Sequence, residues 1–220
     1  MNSGGVSLWP ELLESLGQTL QMVVVTLLVG GFAGLLLGLA LYTTRQGNLF
    51  ANRPVNAVLN VLVNIVRPIP FIIFITGILP LTIAVTGASY GTNAVIFPMT
   101  IMATFGTSRI VEQNLVALDP GVVEAARAMG AGPLRIIATV VVPEALGPLI
   151  LGYTFLFVAI VDMSAMAGAV AGGGLGDFAI VYGYQRFNYV ATWTAVAVIV
   201  VVVQIAQLVG NLLARRVLRR

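Results

Sequence analysis

The sequence predicts an all-α membrane protein with about five transmembrane helices, an external N-terminus and a cytoplasmic C-terminus. Of its 220 residues, 59% are hydrophobic and only 9% are charged, whereas about a quarter of a soluble domain is charged. Several uncharged stretches are longer than the roughly 18 residues that a spanning helix needs. Lipid must therefore solvate much of the chain, which we expect to form one domain over residues 1–220.

Five apolar segments are the predicted spans. The second contains Arg67, Pro68 and Pro70, so we expect a kink there because proline cannot donate a helical hydrogen bond. After it, the uncharged segment Leu81–Thr92 is rich in small polar residues and predicts a tight external connection. The spans are predicted near Leu16–Tyr42, Val55–Leu79, Ala94–Arg109, Leu146–Val170 and Arg186–Arg215.

The arginines set the predicted orientation. With the N-terminus outside, nine of the eleven fall on the cytoplasmic side and only Arg186 is external, as the positive-inside rule requires. The net charge of +3 is therefore a sign of membrane topology, and we expect no nucleic-acid partner. The nine are Arg45, Arg53, Arg109, Arg127, Arg135, Arg215, Arg216, Arg219 and Arg220.

Three missing residue types restrict the chemistry. The chain has no Cys, no His and no Lys, which excludes disulfides, imidazole bases, most transition-metal sites, Schiff bases and a Walker A loop. We therefore expect no catalytic residue, metal or cofactor in this chain, and any ATP that powers the protein must be bound by another chain. Met1–Pro10 has no basic stretch, so we do not expect a cleaved signal peptide.

The only long cytoplasmic connection runs over residues 119–143 and predicts two short helices on the membrane surface. Asp119 can cap a helix that begins at Pro120. Gly130 and Gly132 favour a sharp turn, after which a second helix is predicted over Leu134–Val142. The apolar face of the first helix is predicted to hold Val122, Val123, Ala126 and Met129.

Five residues of this segment resemble the EAA motif of ABC importer permeases: Glu124, Ala125, Ala126, Gly130 and Pro143. The resemblance implies that the segment is a coupling helix that docks on an ATPase subunit, with Glu124, Ala125, Ala126, Met129 and Gly130 at the contact. The alternative is an ordinary amphipathic loop helix, since EAA by itself is common.

Other segments are similar to methionine importer permeases, namely Val63–Ile73, Ser164–Val170, Gly172–Gly176 and Tyr182–Gln185. Pro68 departs from the expected Ser, and Asp162-Met163 from the expected Gly-Tyr. The resemblance implies a type I importer fold in the bacterial inner membrane, paired with a second copy. It also implies two ATPase subunits that bind ATP and Mg, and a periplasmic or lipoprotein binding protein.

Four residues are candidates for the transport pathway or its gate: Arg67, Asp162, Met163 and Met166. A charge within a span costs about 3 kcal/mol on insertion scales, so it usually faces a cavity or a partner. Arg67 and Asp162 could form an ion pair, face separate cavities, or, for Arg67, bond the carbonyls freed at the kink. Met163 and Met166 could line the passage or simply pack.

Two glycine clusters carry simpler expectations. Gly30, Gly34 and Gly38 let helices approach closely, and packing within one subunit is favoured over a contact between subunits. Gly172–Gly176 is not followed by Lys, so it predicts a flexible turn at the external edge and no phosphate loop.

The sequence thus favours the permease subunit of an ATP-driven importer of methionine, in its D or L form, or of close analogues. Another small amino acid or a short peptide is the nearest alternative. A channel or secondary transporter would usually show acidic relays or inverted repeats.

Overall fold

Helices form most of the chain in the computed structural model, which describes residues 2–3 and 6–218. Before the first helix, Asn2–Ser3 (β1) and Val6–Ser7 (β2) pair antiparallel. The helices of the first half are α1 (Trp9–Thr43), α2 (Arg53–Val66), α3 (Phe71–Gly77), α4 (Leu79–Thr86) and α5 (Thr92–Val116). Those of the second half are α6 (Pro120–Ala128), α7 (Pro133–Ile136), α8 (Val142–Gly168), α9 (Gly174–Phe178) and α10 (Tyr189–Leu218).

Among the described residues, four helical stretches are long and apolar enough to cross a membrane. They are α1, α5, the run from α7 through α8, and α10. The bent pair α2 and α3 makes a fifth span if its two halves cross together. The prediction of an all-α membrane protein with about five spans is therefore confirmed.

The second span is broken, not gently kinked. Its halves meet at 102°, because Pro68 and Pro70 remove two backbone donors between Val66 and Phe71. The predicted external connection over Leu81–Thr92 is wrong in part, since α4 occupies half of it. Pro80 lies in the first turn of α4, where its missing N–H costs nothing, and only residues 87–91 connect α4 to α5.

Three glycines of α1 bring it against α5. A Cβ on Gly30 would lie 2.9 Å from the Thr100 carbonyl oxygen, and one on Gly38 would lie 2.6 Å from the Val111 Cβ. Gly34 is equally close to Thr107. The favoured prediction for these glycines, packing within one subunit, is confirmed.

The second short helix predicted over Leu134–Val142 does not exist as a separate element. Pro133 begins α7, a π-helical turn follows over Ile137–Val141, and α8 continues from Val142. Together they form one continuous helix over Pro133–Gly168. Pro143 directly follows the π-helical turn, at the beginning of α8.

The glycines at 172–176 are held in place, which contradicts the prediction of a flexible turn. The Gly174 N–H donates to Gln18 Oε1 at 2.7 Å, and the Leu175 N–H donates to Thr19 Oγ1 at 2.8 Å. Two side chains of α1 thereby satisfy the free amides at the start of α9.

Candidate functional site

The segment after α5 is a helix with a defined beginning and end. The Asp119 side chain accepts the Gly121 N–H at 2.9 Å and caps α6. At the other end, the Gly130 N–H donates to the Arg127 carbonyl oxygen at 2.9 Å, and the Ala131 N–H donates to the Ala126 carbonyl oxygen at 3.1 Å. This pair of bonds is a Schellman motif, and it needs the left-handed φ of +80° that Gly130 adopts. The cap and the turn are where the sequence predicts them.

α6 buries one face and presents the other. Val123 and Ala126 are buried beside Ile136, Val141 and Ala145, so α6 packs on the beginning of the continuous helix over Pro133–Gly168. Glu124 and Ala125 are exposed. Met129, predicted on the apolar face, is instead 81% exposed, because it follows the last turn of α6 and extends beyond the core.

The connection between α1 and α2, residues 44–52, lies alongside α6; we call it the α1–α2 loop. Leu49 packs against the cluster that holds Val123 and Ala126. A cavity of about 310 Å³ separates this loop from α6 and is lined by Arg45, Gln46, Glu124 and Arg127, among others. A second cavity of about 400 Å³ lies between the loop and the turn at Gly130.

A buried polar cluster lies close to this end of the bundle, and the sequence reasoning missed it. The Glu112 side chain is buried, and its carboxylate pairs with Arg109 on the same helix and with Arg45 at 3.5 Å. Arg109 also donates to Asn60 Oδ1 at 3.2 Å and to Asn64 Oδ1 at 2.6 Å. The available signal was the four-residue spacing of Asn56, Asn60 and Asn64, which places three amides on one face of α2.

Arg67 and Asp162 do not pair within one chain. Both side chains are exposed, and within residues 6–218 the ion pairs involve only Arg45, Arg109 and Glu112. Nor does the Arg67 guanidinium bond the carbonyls at the break. A straight second helix would place Arg67 and Asp162 at similar depths. Instead the helix is broken: α2 packs on α1 and α5, and α3, beyond the bend, packs on α5 and α8.

The two methionines of α8 differ in their surroundings. Met163 packs against the main core cluster, which includes Met22 and Ile160. Met166 is 37% exposed. Asp162, Met163 and Met166 therefore lie along one stretch of α8, with Asp162 and Met166 on the surface of the single chain.

Large apolar surfaces are uncovered in a single chain. Apart from the polar side that meets α1 and α5, α2 exposes valine, leucine and isoleucine, with Val58 59% and Ile65 61% exposed. In the 18-residue apolar stretch of α10, only 6% of the residues are buried. Lipid or another protein chain must cover these surfaces.

Comparison with known proteins identifies the family. Residues 30–220 match the family model described as the binding-protein-dependent transport system inner membrane component. A Vibrio cholerae protein named as a probable D-methionine transport system permease, MetI, is 43% identical over 94% of this chain and 92% of its own length. The Bacillus subtilis methionine import system permease, MetP, is 39% identical over 82% of this chain and 81% of its own.

A solved structure agrees with the sequence relatives. One chain of the MetNI methionine ABC transporter, in an inward-facing conformation, superposes with a TM-score of 0.93 at 37% identity, covering 96% of this chain and 97% of that one. The predicted type I importer permease fold and the resemblance to methionine importer permeases are thus confirmed. The chain is a multi-pass membrane protein and belongs to the family of inner-membrane components of binding-protein-dependent transport systems.

Proposed function

We propose that this chain is the permease subunit of an ATP-driven importer of methionine, in its D or L form, or of close analogues. The observation that carries the proposal is the capped α6, packed through one face on the helix of a long span, in a chain whose relatives over nearly its full length are named methionine permeases. A second copy completes the passage, two ATPase subunits bind ATP and Mg, and a binding protein delivers the substrate.

The coupling step follows from the way α6 is attached. Glu124, Ala125, Met129 and Gly130 form the surface on which the ATPase subunit docks, with Ala126 holding α6 from behind. Because α6 packs on the first turns of a single continuous helix, a displacement of α6 turns that helix as a lever.

The passage is assigned to the stretch of α8 that carries Asp162, Met163 and Met166, which can border one cavity without sharing a single stripe of the helix. An exposed carboxylate in a span is costly in lipid, so Asp162 faces water, the second copy or the ammonium group of the substrate. The thioethers suit an unbranched apolar side chain. Arg67, exposed at the break of the second span, is assigned to the same water-accessible region.

Transport by the purified assembly tests the proposal. The chain is extracted together with its ATPase subunit, its mass is measured, and the complex is placed in vesicles with the binding protein and radiolabelled methionine. We expect two copies of each chain and uptake only with ATP. Uptake without the ATPase subunit would indicate a channel or secondary transporter, and preferential competition by another amino acid would overturn the substrate assignment.

A further inference from the structure

The α1–α2 loop is a rigid surface beside α6. Its backbone forms hydrogen bonds to the end of α1. The Phe50 N–H donates to the Thr43 carbonyl oxygen at 2.9 Å, and the Asn52 N–H donates to the Thr44 carbonyl oxygen at 2.9 Å. The Asn48 side chain also donates to the Tyr42 carbonyl at 2.9 Å. A loop fixed in this way loses little conformational entropy when a partner binds it.

The loop and α6 also share one hydrophobic cluster. Leu49 packs in the cluster that buries Val123 and Ala126. Arg45, at the beginning of the loop, is tied to Glu112 of α5 at 3.5 Å. Any partner that rests on α6 therefore meets the loop in a fixed relation to it.

The space between the two elements is an open cleft with both apolar and charged lining residues. Gln46 and Gly47 lie on the loop side of the 310 Å³ cavity, and Glu124 and Arg127 lie on the α6 side. Glu124 and Arg127 form no ion pair within the described part of the chain. Both charges are thus free to bind a polar group that enters the cleft.

α6 by itself is small for a stable docking surface. A specific interface takes about 800 Å² and some 20–30 residues from each partner, whereas α6 has nine residues, of which Val123 and Ala126 face inward. Near it the chain exposes Phe50 at 44%, Met129 at 81% and Leu134 at 75%. Aromatic residues, Met and Arg are the types enriched in interfaces.

We propose that the α1–α2 loop is a second docking element for the ATPase subunit, and that the cleft between the loop and α6 receives a polar segment of that subunit. This inference rests on the proposed function, in which the ATPase docks on α6. It adds a contact on the connection between α1 and α2, so the partner's motion also reaches the broken second span.

Thiol labelling tests the inference, because the native chain has no Cys. Gln46→Cys lies in the cleft, and Met129→Cys lies directly after the last residue of α6. Arg53→Cys is a matched exposed control site at the start of α2, outside both cavities. Each full-length variant is expressed in membranes with and without the ATPase subunit. Its reaction with a water-soluble maleimide is followed on the permease band.

We expect the ATPase subunit to slow labelling severalfold at positions 46 and 129 and to leave position 53 unchanged. Protection at 129 without protection at 46 overturns this inference but leaves the proposed function intact. No protection at either position counts against both, and equal protection at 53 means that shielding is not confined to the cleft.

A bulky substitution gives an independent measurement. Gln46→Trp places an indole at the mouth of the cleft, and Arg53→Trp is its control. We expect severalfold lower recovery of the ATPase subunit with Gln46→Trp after detergent extraction. Equal recovery with the two variants would contradict the docking role of the loop.

Discussion

At the scale of single residues, Glu112 shows how a charge can be kept inside the bundle. The residue is 5% exposed, and two guanidinium groups, from Arg109 and Arg45, compensate the desolvation of its carboxylate. Arg109 is itself satisfied by two asparagines of α2. Each member depends on the others, because a buried charge that loses its partner is far more costly than the intact pair is favourable.

We therefore expect Glu112→Ala to lower the free energy of unfolding by about 3 kcal/mol, since it leaves Arg109, whose side chain is only 15% exposed, without its carboxylate. Arg45→Ala is the matched control. The Arg45 side chain is 47% exposed, so its loss should cost under about 1 kcal/mol. Thermal unfolding of the detergent-extracted complex compares the two, and equal losses would show that the burial of Arg109 is not the reason.

At the scale of elements, the contact between α1 and α5 depends on glycine. Gly38 faces the Val111 side chain and the Ser108 carbonyl oxygen, and a Cβ would lie 2.7 Å from that oxygen. Neither neighbour is the flexible end of a side chain, so the helices would have to separate. A Cβ on Gly17, which lies on the same helix, would meet no other atom within 4 Å.

Gly38→Ala should therefore destabilise the fold even though alanine favours helix formation. The clash costs about 2 kcal/mol, against a gain in helix propensity of about 1 kcal/mol. Gly17→Ala takes the gain without the clash. We expect Gly38→Ala to lower the melting temperature and Gly17→Ala to raise it. A rise for Gly38→Ala would mean that α1 and α5 are less tightly packed than described.

Elements whose signals are local were predictable from the sequence. The Asp119 cap, the left-handed Gly130 and the long apolar spans each follow from a few neighbouring residues. The anchoring of the glycines at 172–176 depends on Gln18, 156 residues away from Gly174. The angle of the broken span and the Glu112 cluster likewise depend on which helices become neighbours, and no local pattern records that.

At the scale of the whole molecule, the proposed coupling requires the turn after α6 to keep its shape. Gly130→Val puts a β-branched side chain at a φ of +80°, which costs about 1–2 kcal/mol, although no neighbour blocks it. Gly132→Val is the control, because Gly132 has a φ of −70° that valine adopts freely. We expect Gly130→Val to lose methionine uptake while the complex hydrolyses ATP or releases its ATPase subunit. Equal uptake by the two variants would separate this turn from coupling.

The passage is the property that one chain cannot show by itself. Asp162 and Met166 are on its surface, so they meet either water or a second copy across a symmetric interface. An importer must also release its substrate, which favours a weak, mostly apolar lining with few charges.

Single cysteines at 162, 163 and 166 of the Cys-free chain should therefore react with a small water-soluble thiol reagent in one nucleotide state and be shielded in another. Val201→Cys, 57% exposed on α10, is the control on a different helix and should stay unreactive in every state. Protection of all three passage positions in every state would place the passage elsewhere.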